Sequence, residues 1–281
     1  MKTVKLKDGR ILAYEEYGDL KGRPVFYFHG WPASRLSGKQ VARAAEKLKL
    51  RLISPDRPGI GFSTFKPNRK LLDWPDDVIQ LADHLGIKKF SVAGSSGGGP
   101  YVLACAYKIP DRLVSAAVIA GLGPLWLSER KGLTFKQFLM LRVASLGAKL
   151  ASPNLFFNKI CLDYFPYLYT WTSLLLKSKP DKEIRKKSDY EKLFLATSKE
   201  AFRQGIRGVS CDLRIYSNDW CFDLKDIKTK VILWHGRKDK NVPVWMGKYV
   251  ASRLKNCQAH YIESSGHLLI ALMGEKIFSQ I

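Results

Sequence analysis

The sequence has no long apolar run. Its most extended weakly polar stretch, "FPYLYTWTSLLL" from Phe165 to Leu176, is 12 residues, against the roughly 20 that a membrane-spanning helix needs. No transmembrane segment is expected. The amino-terminal "MKTVKLKDGRILAYEEYG" alternates charge with apolar residues and holds no continuous apolar core such as a secretion signal requires, so a cytoplasmic location is expected. Cysteine is sparse and odd in number: Cys105, Cys161, Cys211, Cys221 and Cys257 are scattered with no CxxC pair. Neither a disulfide framework nor a metal site is expected from them. Pro/Gly/Ser tracts and short-period repeats are missing too, which excludes disordered, collagen-like and solenoid chains.

Acidic residues are outnumbered, with 25 Asp and Glu against 47 Lys and Arg and a formal charge of +22. Such a balance can mark a nucleic-acid or anionic-membrane partner, and its distribution decides. The central stretch 125–225 carries 18 basic and 10 acidic residues, which is its proportional share of the excess. The charge is spread, no nucleic-acid module accompanies it, and no nucleic-acid partner is expected.

What is present is a regular alternation. Short runs rich in Val, Ile, Phe and Tyr recur: "TVKL", "ILAYEEYG", "VFYFHG", "RLISPD", "FSVAGS", "VSAAVIAG", then "VILWHG" and "AHYIESS". They predict eight strands. The Asp-Gly of "KDGR" makes the first two an antiparallel hairpin. Helical patterns follow the later strands at Ser34–Leu48, Trp74–Leu85, Pro100–Lys108, Trp245–Leu254 and from Leu268 to the end. This is the signature of a mostly parallel α/β sheet with helices on both faces. One interruption of about a hundred residues is too long for a loop. The expected division is therefore a core in two parts, 1–124 and 226–281, and an inserted helical cap, 125–225, over the carboxyl ends of the strands where ligands bind.

The chemistry centres on "FSVAGSSGGGPYV", where a strand runs through small residues into a helix. "GSSGG" fits G-x-S-x-G with Ser96 central. On such an elbow the serine occupies a strained turn, and the chain segments approach so closely that Gly94 and Gly98 must lack side chains. A serine hydroxyl is a weak nucleophile unless a base takes its proton and an acid orients that base. "VILWHGRKDKNVP" places Asp239 after a strand, and "AHYIESSGHLL" places His267 after the next. The order Ser96, Asp239, His267 is the one expected for such a sheet, whereas Asp219, Asp223 and Asp226 do not follow a strand. Acyl transfer also needs donors for the developing oxyanion. Gly97 N–H supplies one and Trp31 N–H in "FHGWPAS" the second, since Pro32 has none to give. His29 and Gly30 are expected to shape that loop.

Taken together, "FHGWP", "SPDRPGIGFS", "VAGSSGGGP", "LWHGRKDKNVPV" and "SGHLL" resemble the α/β-hydrolase fold superfamily, in its capped, esterase- and peptidase-like form. The resemblance runs over nearly the whole chain and implies a serine hydrolase of carboxylic esters, less readily of amides, on a small-molecule substrate and without cofactor or metal, in a monomer or homodimer. It implies a structural turn, with no catalytic role, for Asp56. Ser96 at the elbow argues against the epoxide hydrolases and haloalkane dehalogenases of this fold, which use a carboxylate there. A cofactor-free perhydrolase and a ligand-binding, receptor-like protein stay open. The stretch 125–225 carries no motif for substrate choice, but its load of aromatics, among them Trp126, Phe135, Phe138, Phe156, Phe157 and Trp171, predicts an apolar pocket over Ser96 lined by Phe156, Phe157 and Trp171.

Overall fold

A computed structural model describes residues 1–124, 148–175 and 177–281. Among these, eight strands form one sheet: β1 (Lys2–Lys5), β2 (Ile11–Gly18), β3 (Arg23–Phe28), β4 (Leu50–Pro55), β5 (Phe90–Ser95), β6 (Leu113–Ile119), β7 (Val231–Gly236) and β8 (Cys257–Ile262). Their order is β1-β2-β4-β3-β5-β6-β7-β8. The β1–β2 and β2–β4 pairs are antiparallel and all the others parallel. Gly9 turns the first hairpin at φ +85°, a conformation that a side chain would oppose.

Both faces of the sheet are covered, because alternate side chains of one strand enter different cores. In β3, Val25 and Tyr27 join Leu50, Leu52, Trp234 and Phe278 on one side. Phe26 and Phe28 join Trp74, Phe90 and Tyr101 on the other. Each such side chain, fully buried, contributes about 1.5–3 kcal/mol. The helices are α1 (Ala42–Lys47), α2 (Trp74–His84), α3 (Gly99–Lys108), α4 (Ala148–Tyr164), α5 (Pro166–Leu175), α6 (Lys179–Arg185), α7 (Ser188–Ala201), α8 (Arg207–Ser217), α9 (Val244–Arg253) and α10 (Leu269–Phe278). The helix expected over Ser34–Leu48 is in fact a 3-10 stretch, Arg35–Val41, followed by the short α1. Gly38 there is pressed against Tyr17, whose ring a Cβ would approach to 2.7 Å.

Helices α4 to α8 lie between β6 and β7. They gather their own apolar cluster, with Leu155, Leu162, Tyr169, Phe202 and Val209, and draw in Ile60 from the loop after β4. The boundary expected at Leu125, and the aromatics Trp126, Phe135 and Phe138, fall outside the described residues. Among the described residues no helix is long and apolar enough to cross a membrane. All five cysteines are free thiols.

The chain passes from β3 to β4 on one side, then crosses to β5 on the other side of β3. The carboxyl ends of β3 and β5 therefore border a crevice at a switch in strand order, where open α/β sheets bind ligands.

Candidate active site

Ser96 stands at that crevice, one residue past the end of β5, with φ +55°. A left-handed backbone costs a residue with a side chain about 1–2 kcal/mol, and it persists only where the surroundings fix it. Here two glycines fix it. A Cβ on Gly94 would lie 2.6 Å from the Gly98 carbonyl oxygen, and one on Gly98 would lie 2.2 Å from that of Phe28. The corner can close only because both lack side chains.

The loop after β7 presents Asp239. Its Oδ1 accepts the N–H groups of Asn241 at 2.8 Å and Val242 at 2.9 Å. Its Oδ2 lies 2.7 Å from Nδ1 of His267. Burial pushes the Asp239 carboxyl up, but the adjacent His267 and His235 outweigh it and hold the group below the usual carboxylate range. His235 Nε2 lies 2.8 Å from the Val242 carbonyl and 3.5 Å from Asp239 Oδ2, so it braces the acid from behind.

His267 is itself held by the insertion. Asp181, on α6, accepts the backbone N–H of His267 at 3.1 Å and of Leu268 at 2.8 Å, and the Ser178 hydroxyl at 2.6 Å. A Cβ on the neighbouring Gly266 would come within 2.4 Å of the same carboxylate. His267 and Ser96 line one cavity of about 120 Å³.

The loop after β3 forms the opposite wall. A Cβ on Gly30 would sit 3.4 Å from Ser96 Cβ, and one on Gly97 would sit 3.0 Å from Trp31 Cβ. Among the described residues the Trp31 N–H has no hydrogen-bond partner. Its direction is fixed from behind. The carbonyl of Gly30 takes hydrogen bonds from Arg57 Nη2 at 2.8 Å and from His29 Nδ1 at 2.9 Å. In a trans peptide the C=O of Gly30 and the N–H of Trp31 point oppositely, so anchoring one aims the other. Arg57 also donates to the His29 carbonyl at 2.6 Å and to Asp212 on α8 at 2.8 Å. Asp212 in turn accepts from Tyr101 at 2.7 Å and pairs with Arg69. Burial raises the Asp212 carboxyl, but Arg57 and Arg69 outweigh it and keep it ionised. Burial, reinforced by Arg57, holds the His29 imidazole well below its ordinary value. His29 is therefore a neutral donor to the Gly30 carbonyl. Trp31 Nε1 donates to the Val209 carbonyl of α8 at 2.8 Å, tying the loop to the insertion.

Ser96, Gly97, Trp31 and His267, expected to act together, meet at this crevice, with Asp239 behind His267. Asp56 is structural, accepting the N–H and guanidinium of Arg35 at 2.6 Å each. Phe156, Phe157 and Trp171 require correction as pocket residues. They are 57%, 53% and 60% exposed, and none of them lines the cavity beside Ser96. Helices α4 and α5 turn Leu155, Leu162 and Tyr169 inward, which leaves the other aromatics outside. The wall facing Ser96 comes from α7, through Tyr190, Leu193, Phe194 and Thr197. Arg57, Asp181, Asp212 and Lys177, which also lines the cavity, were not singled out by sequence. Only Arg57 had a usable signal, its place in "SPDRPGIGFS".

The family model described as alpha/beta hydrolase fold matches residues 23–272. A non-heme chloroperoxidase, CPO-A1, from Kitasatospora aureofaciens is 24% identical over 98% of this chain and 95% of its own length. A 2-hydroxymuconate semialdehyde hydrolase from Pseudomonas putida is 24% identical over 88% of this chain and 81% of its own. Among solved structures, a thermophilic esterase from Thermogutta terrifontis superposes with a TM-score of 0.72 at 20% identity, covering 100% of this chain and 96% of that one. A bromoperoxidase from Bacillus anthracis gives 0.74 at 21% identity, covering 99% and 97%.

Proposed function

The chain belongs to the alpha/beta hydrolase family, and from that premise we propose that it is a serine hydrolase cleaving small carboxylic esters through an acyl-enzyme. The observation that carries the reading is the left-handed Ser96 sharing a cavity with His267, whose Nδ1 lies 2.7 Å from the buried Asp239. In this scheme Ser96 Oγ attacks the ester carbonyl while His267 Nε2 takes its proton. Asp239 keeps the other ring proton on Nδ1 and stabilises the imidazolium that forms. The N–H groups of Trp31 and Gly97 hold the oxyanion. His267 then returns the proton to the leaving alkoxide, and water repeats the cycle on the acyl-Ser96. The insertion serves as a cap, closing the cavity from the side of α7. A volume of about 120 Å³ suits a short acyl group, at roughly 30 Å³ per water displaced.

The test is covalent labelling. A fluorophosphonate probe followed by proteolysis is expected to place the adduct on Ser96, and Ser96→Ala is expected to abolish saturable hydrolysis of short p-nitrophenyl esters. A folded protein that takes no label, and turns such esters over at a rate Ser96→Ala does not change, would be a ligand-binding protein instead.

A second reading is favoured by the haloperoxidases among the similar proteins, one of them matching nearly the whole chain. In it hydrogen peroxide replaces water at the acyl-Ser96 and releases a peracid. Peracid formation from acetate and peroxide, measured beside ester hydrolysis on one preparation, separates the two.

A further inference from the structure

The cavity beside Ser96 is lined by a cation, Lys177, that forms no ion pair with any described residue. Lys177, on the link between α5 and α6, lines it together with Arg185, Tyr190 and Asn241. Arg185 already has a counter-charge: its Nε and Nη2 lie 2.5 and 2.9 Å from the two carboxylate oxygens of Glu191, and its guanidinium stacks 3.5 Å from the ring centre of Phe194. Among the described residues Lys177 has no ion pair and no side-chain hydrogen bond. The two acids whose charge acts on it are engaged elsewhere, Asp181 by the backbone of His267 and Leu268 and Asp239 by His267 and the N–H groups of its own loop. Burial and the neighbouring Arg185 push the Lys177 ammonium down to about 8. It is still mostly charged at neutral pH.

An ammonium withdrawn from water without a counter-charge is costly, and such a group in a cleft marks a binding or catalytic position. Lys177 is half-buried, at the wall of the cavity that Ser96 and His267 also line. What completes it is a negative group on the ligand. The cavity is small, and Asp181 and Asp239 add negative potential nearby, which opposes a phosphate dianion more than a single charge.

We propose that Lys177 anchors an anion subsite and that the natural substrates are small esters or lactones bearing a carboxylate. The ester part of this statement rests on the hydrolase reading above; the carboxylate part does not.

Two arms separate them. In the first, kcat/KM is measured for p-nitrophenyl butyrate and for mono-p-nitrophenyl glutarate, and the ratio of glutarate to butyrate is followed. The wild type is expected to favour the glutarate ester. Lys177→Gln should lower the ratio by about tenfold or more, the size of one lost hydrogen bond to a charged group, Lys177→Glu should lower it further, and Lys177→Arg should preserve it. A ratio indifferent to all three variants overturns the subsite and leaves the hydrolase reading standing. The second arm needs no turnover: calorimetric titration of Ser96→Ala with glutarate, with and without Lys177→Gln, is expected to show binding that weakens by about tenfold or more when the ammonium is lost. Lys177-dependent glutarate binding in a protein that hydrolyses no ester would uphold the subsite and sink the hydrolase reading. Inorganic phosphate binding as tightly as glutarate, with the same dependence on Lys177, would overturn the carboxylate assignment.

Discussion

The backbone N–H of His267 donates to Asp181 Oδ2 at 3.1 Å across 86 residues of sequence. The Leu268 N–H meets the other oxygen of the same carboxylate. One acid on the insertion thus fixes the loop that carries the proposed base, so the insertion and the proton-transfer geometry are mechanically one unit.

Asp181→Ala orphans the buried N–H of His267, at about 1–3 kcal/mol, and the part-buried N–H of Leu268. It also frees His267 to drift, and a displacement near 1 Å costs on the order of 100-fold in rate. Turnover is expected to fall by that order while KM changes little, with Asp181→Asn recovering part through its remaining oxygen. Steady-state kinetics well below the melting temperature check this. A lowered Tm with kcat intact would make Asp181 scaffold alone.

Ser96 pays for its position in backbone strain. Ser96→Gly is expected to raise stability by about 1–2 kcal/mol, since glycine enters the left-handed region freely, while hydrolysis disappears. For a chain of this size each kcal/mol moves Tm by about 2–4 °C. Differential scanning calorimetry of the two proteins measures it, and a fall in Tm would mean that the Ser96 side chain contributes more to packing than its turn costs.

Arg57 holds Gly30 and His29 carbonyls with one planar fork, a geometry that an ammonium cannot reproduce. Arg57→Lys should misdirect the Trp31 N–H. Complete loss of an oxyanion donor costs about 10²–10³ in kcat, so a smaller drop of roughly tenfold to a hundredfold is expected. Comparison with Trp31→Ala, which keeps the N–H, tells aim from bulk: only Arg57→Lys should impair the slowest esters most.

Lys177 makes stability depend on pH. Burial and then Arg185 lower its ionisation to about 8, against the opposing charges of Asp181 and Asp239. Because the folded value lies below the unfolded one, the unfolded chain binds more protons between about pH 8 and 10.4, and this contribution to stability grows with pH through that window. The penalty is at its full size below pH 8. Lys177→Met is therefore expected to melt higher than the wild type at pH 7, with the gap closing towards pH 10. Thermal melts at the two pH values decide it. A variant that melts lower at pH 7 would show the ammonium to be satisfied.

The sheet was legible because burial on both faces demands a recognisable composition. "VILWHG" and "FSVAGS" are continuous apolar runs and appear as the wholly buried β7 and β5. The elbow was legible for a steric reason, since only glycine tolerates carbonyl contacts as close as those at Gly94 and Gly98. The inward-facing residues of the insertion were not. On a helix, an acid that faces solvent and one that clamps a distant loop look alike, and only the rotation of the helix distinguishes them. Asp181 sits among lysines and Asp212 between a cysteine and a leucine, with no pattern of their own, yet both are fully buried. The rotation of α4 and α5 turned Phe156, Phe157 and Trp171 outward, and the link between α5 and α6 brought Lys177 to the cavity. Local sterics wrote the core and the nucleophile's corner into the chain, and the docking of the inserted helices decided what surrounds them.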